Sequence, residues 1–225
     1  MIGFYVSGNA TRLQKYLVAI KNKPEFLHRI KFILIDTKTN EALRNLAKEL
    51  KIRYVEIAYR ELNLSGQARN QYISELFLAL LKETNCKNGF IWGGKILVGN
   101  LLIEYANKLV NFHPSLLPAH KGGTRAIDEA ISEHTFLLGN TAHFIDEGVD
   151  TGAVIMQSIF PSALFSGNYD AVLDQQLPMV HQIIEWFESN RIAVIDQKVV
   201  IKNANYEVSE FVPCLEIDLK MFYKI

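Results

Sequence analysis

The stretch IGFYVSGNATRLQKYLVAI, Ile2 to Ile20, joins two different periodicities across one short loop. Ile2–Val6 is an unbroken apolar run, as expected for a strand covered on both faces. Ser7-Gly8-Asn9 breaks it, and Leu13, Leu17 and Ile20 then recur at helical spacing. The same alternation continues downstream. Ile30–Ile35 predicts a second strand, and the polar run Asp36–Asn40 supplies caps for a helix near Glu41–Leu50. Tyr54–Ile57 predicts a third strand. Ile73, Leu76, Phe77, Leu80 and Leu81 mark one face of a helix between Gln67 and Thr84, and Phe90-Ile91-Trp92 is a strand stopped by Gly93-Gly94. Leu101–Tyr105 is helical in pattern and Lys108–Phe112 strand-like. Strictly alternating strands and helices imply right-handed crossovers, so the expected fold is α/β: an open, mainly parallel Rossmann-like sheet with helices on both faces.

Past residue 113 the texture changes. Ala126–Ile131 predicts a helix. Thr141–Ile145 and Val154–Ile159 predict strands around the acidic turn Asp146–Gly152. Asp170–Ser189 has helical period, with Pro178 beginning, kinking or interrupting it. Ile192–Ile195 and Val199–Ile201 flank Asp196-Gln197-Lys198 and read as a C-terminal β-hairpin. The expected organisation is a catalytic domain over 1–190, with 191–225 as hairpin and tail rather than an independent domain. No pattern assigns 203–225.

Bulk properties bound the function. Of 225 residues, 49% are apolar and 21% charged, a globular mixture able to bury a sizeable core. Lys plus Arg and Asp plus Glu both number 24, so no basic excess points to nucleic acid. The two cysteines, Cys86 and Cys214, form no C-x-x-C pair; both are expected free, in a reducing compartment. No apolar run is long enough for a membrane span, and no basic leader precedes the first one. The expectation is a cytoplasmic protein acting on small molecules.

Chemistry concentrates in two loops. Asn111-Phe112-His113 ends a parallel strand, where ligands of open α/β sheets collect. Side chains alternate along a strand, so Asn111 and His113 share a face opposite Phe112. An amide that donates a hydrogen bond then lies beside an imidazole able to carry a proton. Pro114 and Pro118 stiffen the exit. The second loop, His143–Gly152 (HFIDEGVDTG), holds three acids and two glycines. By itself it suits an exposed turn, or a hard cation, although its spacing is not that of an EF-hand.

Taken together, NFHPSLLP (111–118) and AHFIDEGVDTGAVIMQ (142–157) closely resemble the formyltransferases that use 10-formyltetrahydrofolate. These include glycinamide ribonucleotide formyltransferase, methionyl-tRNA formyltransferase and the nucleotide-sugar N-formyltransferases. The resemblance implies a catalytic set of Asn111, His113 and Asp150, with His143 in support. It implies that Asp146, Glu147 and Gly148 belong to a loop lining the pterin, with Lys95, Ile96 and Leu97 as a second wall. Neither a metal nor a covalent enzyme intermediate is needed. Asn111 would donate to the formyl oxygen as charge grows there, and Asp150 would favour the charged form of His113.

The acceptor would be a primary amine. Ser7, Gly8, Asn9, Thr11 and Arg12 resemble the phosphate loop of the glycinamide ribonucleotide enzymes, although Ala10, Thr11 and Arg12 replace that group's small polar residues. Gln176 falls where that group has a Glu that meets the amine. The loop at His120–Thr124 lacks its His-rich pattern. Too few residues follow 190 for a tRNA-gripping domain. By exclusion the expected acceptor is a nucleotide-linked amino sugar, such as dTDP-4-amino-4,6-dideoxyglucose, with the hairpin 192–201 available for a homodimer. Phosphoribosylglycinamide is the alternative acceptor, and a non-catalytic folate- or nucleotide-binding protein the alternative of another class.

Overall fold

The computed structural model of the protein describes residues 1–38, 40–122, 125–207 and 209–222. The chain forms two compact units, Met1–Asn111 and Phe112–Ile225. Residues 191–222 lie within the second unit.

The first unit contains β1 (Ile2–Val6), α1 (Thr11–Ile20), α2 (Pro24–Leu27), β2 (Ile30–Ile35), α3 (Glu41–Glu49), β3 (Arg53–Glu56), α4 (Gly66–Glu83), β4 (Asn88–Trp92), α5 (Asn100–Glu104) and the start of β5 (Leu109–His113). Its strands are ordered β5-β4-β1-β2-β3, and every pair is parallel. This is the α/β architecture that the alternation predicts. All five residues of β1 are buried, as a central parallel strand requires. Neighbouring residues of β1 show that both faces are covered. Phe4 meets Tyr16 of α1 with ring centroids 6.2 Å apart, while Tyr5 meets Phe77 of α4 at 6.0 Å. The predicted cap of α3 is present, with Asn40 accepting from the Leu43 N–H; at the start of α4, Ser65 likewise accepts from the Ala68 N–H.

Chain order reverses at β1, which has β2 on one side and β4 on the other. At the carboxyl ends of β1 and β4 the loops are tied together. Ser7 Oγ donates to Asp36 Oδ2 (2.7 Å) and accepts from the Gly94 N–H (3.0 Å). The Tyr5 hydroxyl donates to the same Asp36 oxygen at 2.8 Å. Burial, and then the charge of Asp36, push the Tyr5 phenol well above its ordinary pKa, so it remains a donor.

The second unit contains the end of β5, α6 (Ala126–Ser132), β6 (Leu137–Phe144), β7 (Val154–Pro161), α7 (Tyr169–Leu173), α8 (Gln176–Glu188), β8 (Ile192–Ile195), β9 (Lys198–Ile201) and β10 (Phe211–Val212). β6 pairs with β7 and β7 with β10, all antiparallel. The helical pattern over 170–189 resolves into two helices, with Pro178 in the first turn of α8, where its missing N–H costs nothing. The hairpin is present: β8 and β9 pair antiparallel, and Asp196 and Gln197 both have positive φ (49° and 62°). That combination is the two-residue turn whose twist matches its strands. β6 begins four residues before the predicted strand, because Gly139 and Asn140 are strand residues here. A Cβ on Gly139 would lie 2.1 Å from the Ser158 carbonyl oxygen, and Asn140 is fully buried. Asn140 Nδ2 donates to Ser158 Oγ and the Val172 carbonyl, so a polar residue occupies a core position at full hydrogen-bond satisfaction. Cys86 and Cys214 are both free. Among the described residues no helix is long and apolar enough to cross a membrane.

Candidate active site

The second unit brings His113, Asp150 and His143 together around one carboxylate. His113 leaves the carboxyl end of β5 and is 4% exposed. Its Nδ1 lies 3.3 Å from Asp150 Oδ2, and its Nε2 lies 2.7 Å from the His120 carbonyl oxygen. A carbonyl only accepts, so Nε2 carries a proton; a second proton on Nδ1 would let the ring donate to both partners. His143, 3% exposed near the end of β6, repeats the pattern. Its Nδ1 is 2.8 Å from the Phe144 carbonyl oxygen and its Nε2 is 3.4 Å from Asp150 Oδ1.

Asp150 therefore stands between two imidazoles, and the Gly122 N–H donates to its Oδ2 at 2.7 Å. The His143 ring foremost, then the Gly122 N–H and the charges of both histidines, hold its carboxyl below the usual carboxylate range against partial burial. The backbone at Asp150 has φ 51°, the left-handed region that Asp tolerates better than most residues. Gly152 explains the glycine in the motif: a Cβ there would lie 1.9 Å from the Phe144 carbonyl oxygen, the group that His143 also uses. Gly152→Ala is expected to destabilise the fold by about 1–3 kcal/mol, measurable as a lower urea midpoint. It should also lower activity, because the backbone shift moves both His143 and Asp150.

The stiff loop after His113 is fixed by Thr141. The Thr141 hydroxyl donates to the Ser115 carbonyl (2.7 Å) and accepts from the Leu117 N–H (3.0 Å), while Gln157 Nε2 donates to the Leu117 carbonyl (3.1 Å). In the acidic loop, Asp146 Oδ1 accepts from the Gly148 N–H (3.1 Å) and the Thr151 hydroxyl (2.7 Å), closing the loop on itself. Asp146, Glu147, Gly148 and Val149 are left exposed.

The remaining predicted residues are placed as follows. Asn111 is half-buried on β5, two positions before His113. In the first unit Lys95 Nζ sits 4.8 Å above the Tyr59 ring, Ile96 is 53% exposed and Leu97 is buried. Ser7 spends its hydroxyl within the Asp36 network rather than facing outward alone. The Gly8 N–H is used by Thr37 Oγ1 (2.8 Å), and the Asn9 carbonyl accepts from Gln14 and Asn40. Thr11 and Arg12 open α1, with Ala10 preceding them at φ 50°. In the second unit Gln176 is 2% exposed and its amide donates to Asn140 Oδ1 at 2.7 Å, which gives it a task in the core. Gly123 and Thr124, at the end of the loop compared with the His-rich pattern, lie outside the described residues.

Sequence reasoning missed His120 and Gly122. Both act through backbone atoms, which the identity of a residue does not advertise; the one available signal was a His and a Gly in a short turn between Pro118 and α6.

Residues 2–164 match the family model of the formyl transferases. The chain belongs to the formyl transferase family. It is thereby a member of a family of one-carbon transferases. It is 34% identical over 164 residues to the trifunctional purine biosynthetic protein adenosine-3 of Chironomus tentans, an alignment covering 71% of this chain and 11% of that one. It is also 34% identical over 108 residues to the phosphoribosylglycinamide formyltransferase of Haemophilus influenzae, covering 45% of this chain and 49% of the relative. The chain thus matches about a tenth of the trifunctional protein and about half of the shorter one. A crystal structure of glycinamide ribonucleotide transformylase 1 from Symbiobacterium toebii superposes with a TM-score of 0.73 at 23% identity, covering 89% of this chain and 92% of that one. At that identity it supports the fold.

Proposed function

We propose that the chain transfers the formyl group of 10-formyltetrahydrofolate to a primary amine, and that phosphoribosylglycinamide carries this amine. The observation that carries the transfer reading is the pairing of His113 with Asp150 at the end of β5. The buried imidazole has a carboxylate on one nitrogen and a carbonyl on the other, an arrangement suited to a ring that carries a positive charge.

In this reading the amine attacks the formyl carbon, and negative charge grows on the formyl oxygen. Asn111 donates a hydrogen bond to that oxygen, and protonated His113 adds electrostatic stabilisation. One such oxyanion donor is worth about 3 kcal/mol in the transition state. Asp150 holds the His113 ring and accepts the proton leaving the amine, directly or through a water; as the formyl oxygen re-forms its carbonyl, the bond from the formyl carbon to N10 of the folate breaks and N10 takes up that proton, releasing tetrahydrofolate. Asp146 folds back on its own loop, so the pterin would rest on the exposed peptide segment 147–149. No covalent bond to the enzyme forms.

The acceptor assignment is supported by the names of the relatives that this chain resembles. Gln176, the position on which the case for an amino sugar turned most, donates to Asn140 Oδ1 in the core, which weakens the argument drawn from it. The substitutions Ala10, Thr11 and Arg12 in the first loop favour the second reading, a nucleotide-linked amino sugar.

Incubation with 10-formyltetrahydrofolate and one amine at a time, following tetrahydrofolate release by absorbance, tests this. Release with phosphoribosylglycinamide alone is expected. Release only with a dTDP-amino sugar replaces the first acceptor by the second. Release with no amine present, accompanied by formate, would make water the acceptor and overturn the transfer reading. Folate binding without any release would leave a binding protein.

A further inference from the structure

We infer that His120 is a positioning residue for the reaction: its side chain anchors the turn whose backbone holds both His113 and Asp150. This rests on the transfer reading above. Within three residues, His120–Gly122, the turn offers the carbonyl that receives His113 Nε2–H at 2.7 Å and the N–H that donates to Asp150 Oδ2 at 2.7 Å. One short segment thereby holds both partners of the 3.3 Å imidazole–carboxylate pair.

Two features show that this turn needs an anchor. His120 has φ 50°, a left-handed conformation that is unfavourable for a non-glycine residue. Relaxation to negative φ would rotate the His120 carbonyl away from His113. In addition, Pro114–Leu116, Ala119 and His120 line a mostly apolar cavity of about 330 Å³, together with Ile127 and Ala130 of α6. Packing on that side leaves room for the turn to move. The His120 ring bridges the space. Its side chain is 10% exposed, with Nδ1 3.9 Å from Glu129 Oε2 and Nε2 3.7 Å from Glu133 Oε2. These glutamates lie four residues apart, on one face of α6 and its C-cap, so they flank the ring from both edges. Ser115 Oγ adds a hydrogen bond to the Ala119 carbonyl at 2.8 Å, one residue before.

His120→Asn provides the test, since Asn tolerates positive φ but is too short to reach α6. The double variant Glu129→Gln/Glu133→Gln keeps the ring and neutralises its exposed partners. Two readouts are taken on the full chain. In the first, ¹⁵N-edited spectra of the His113 ring report solvent exchange of the Nε2 proton. In the second, steady-state kinetics separate kcat from KM. For His120→Asn we expect faster Nε2 proton exchange and a kcat about tenfold lower, with KM for folate and amine within about twofold, because a catalytic group misplaced by a fraction of an ångström loses rate rather than affinity. The double variant should shift both readouts in the same direction by a smaller factor. An unchanged His113 signal, or a rise in KM at unchanged kcat, overturns the proposal. Should His120→Asn fail to fold by circular dichroism, the double variant decides in the same way. If the wild-type chain transfers formyl to no amine, the His113 signal still tests the anchor, and the two failures stay distinct.

Discussion

His113→Ala should lower kcat by about 10²–10³-fold, the range for removing a group that stabilises a developing oxyanion, while leaving folate affinity within about twofold of wild type. The reasoning starts from what stays behind. Asp150 keeps the His143 ring and the Gly122 N–H, so the acidic loop retains its hold. The Thr141 hydroxyl still pins the turn after β5. What disappears is the imidazole at the end of β5 with acceptors on both nitrogens, and hence the charge opposite the growing negative oxygen. His113→Gln separates that charge from the packing: a Gln amide can still donate to the His120 carbonyl but carries no positive charge. Both variants should show the same loss in kcat, followed by tetrahydrofolate release. Turnover of His113→Gln within about threefold of wild type would remove His113 from the chemistry.

Much of the first unit was legible because its strands are buried on both faces. IGFYV, IKFILI and GFIW read as apolar runs for the same reason that they form β1, β2 and β4. The helices between them carry one apolar face, and α3 is capped by Asn40 where polarity predicts it. The second unit was less legible because its sheet contains residues that ordinarily mark turns. Gly139 is a strand residue owing to the close approach of the Ser158 carbonyl, and Asn140 because three neighbouring polar groups satisfy it. β10 spans two residues and has no periodicity to detect. Between Leu173 and Gln176 the helix breaks, while the apolar spacing continues through the break.

The candidate site divides the same way. Asn111 and His113 follow from strand alternation alone. Asp150 lies 37 positions further on (150 − 113), and no local pattern links it to His113; only the resemblance paired them, and the 3.3 Å contact supplies the physical link. His143 has the same geometry as His113 toward a carbonyl and toward Asp150, yet its sequence position, inside an apolar strand, resembles that of an ordinary core histidine.

Asp150→Asn should be nearly as damaging as loss of His113, with kcat falling by about 10²–10³-fold, and it carries a pH signature that no packing defect would reproduce. Three nitrogens converge on the carboxylate: His113 Nδ1, His143 Nε2 and the Gly122 backbone N. An Asn presents one oxygen and one NH₂ to the same three groups, so at least one imidazole faces a donor and must turn or lose its proton. The direction in pH follows from the lowered carboxyl pKa. A folded-state value below the unfolded one means that between the two values the unfolded chain binds more protons, so stability rises with pH there. The contribution is complete above the ordinary carboxylate range and is lost as pH falls through the folded value. Wild type should therefore exceed Asp150→Asn in urea midpoint by a constant margin at neutral pH, and the margin should shrink below about pH 4. A margin that stays the same in acid would mean that the carboxylate's charge does not hold the two histidines, and the electrostatic account of the site would fall with it.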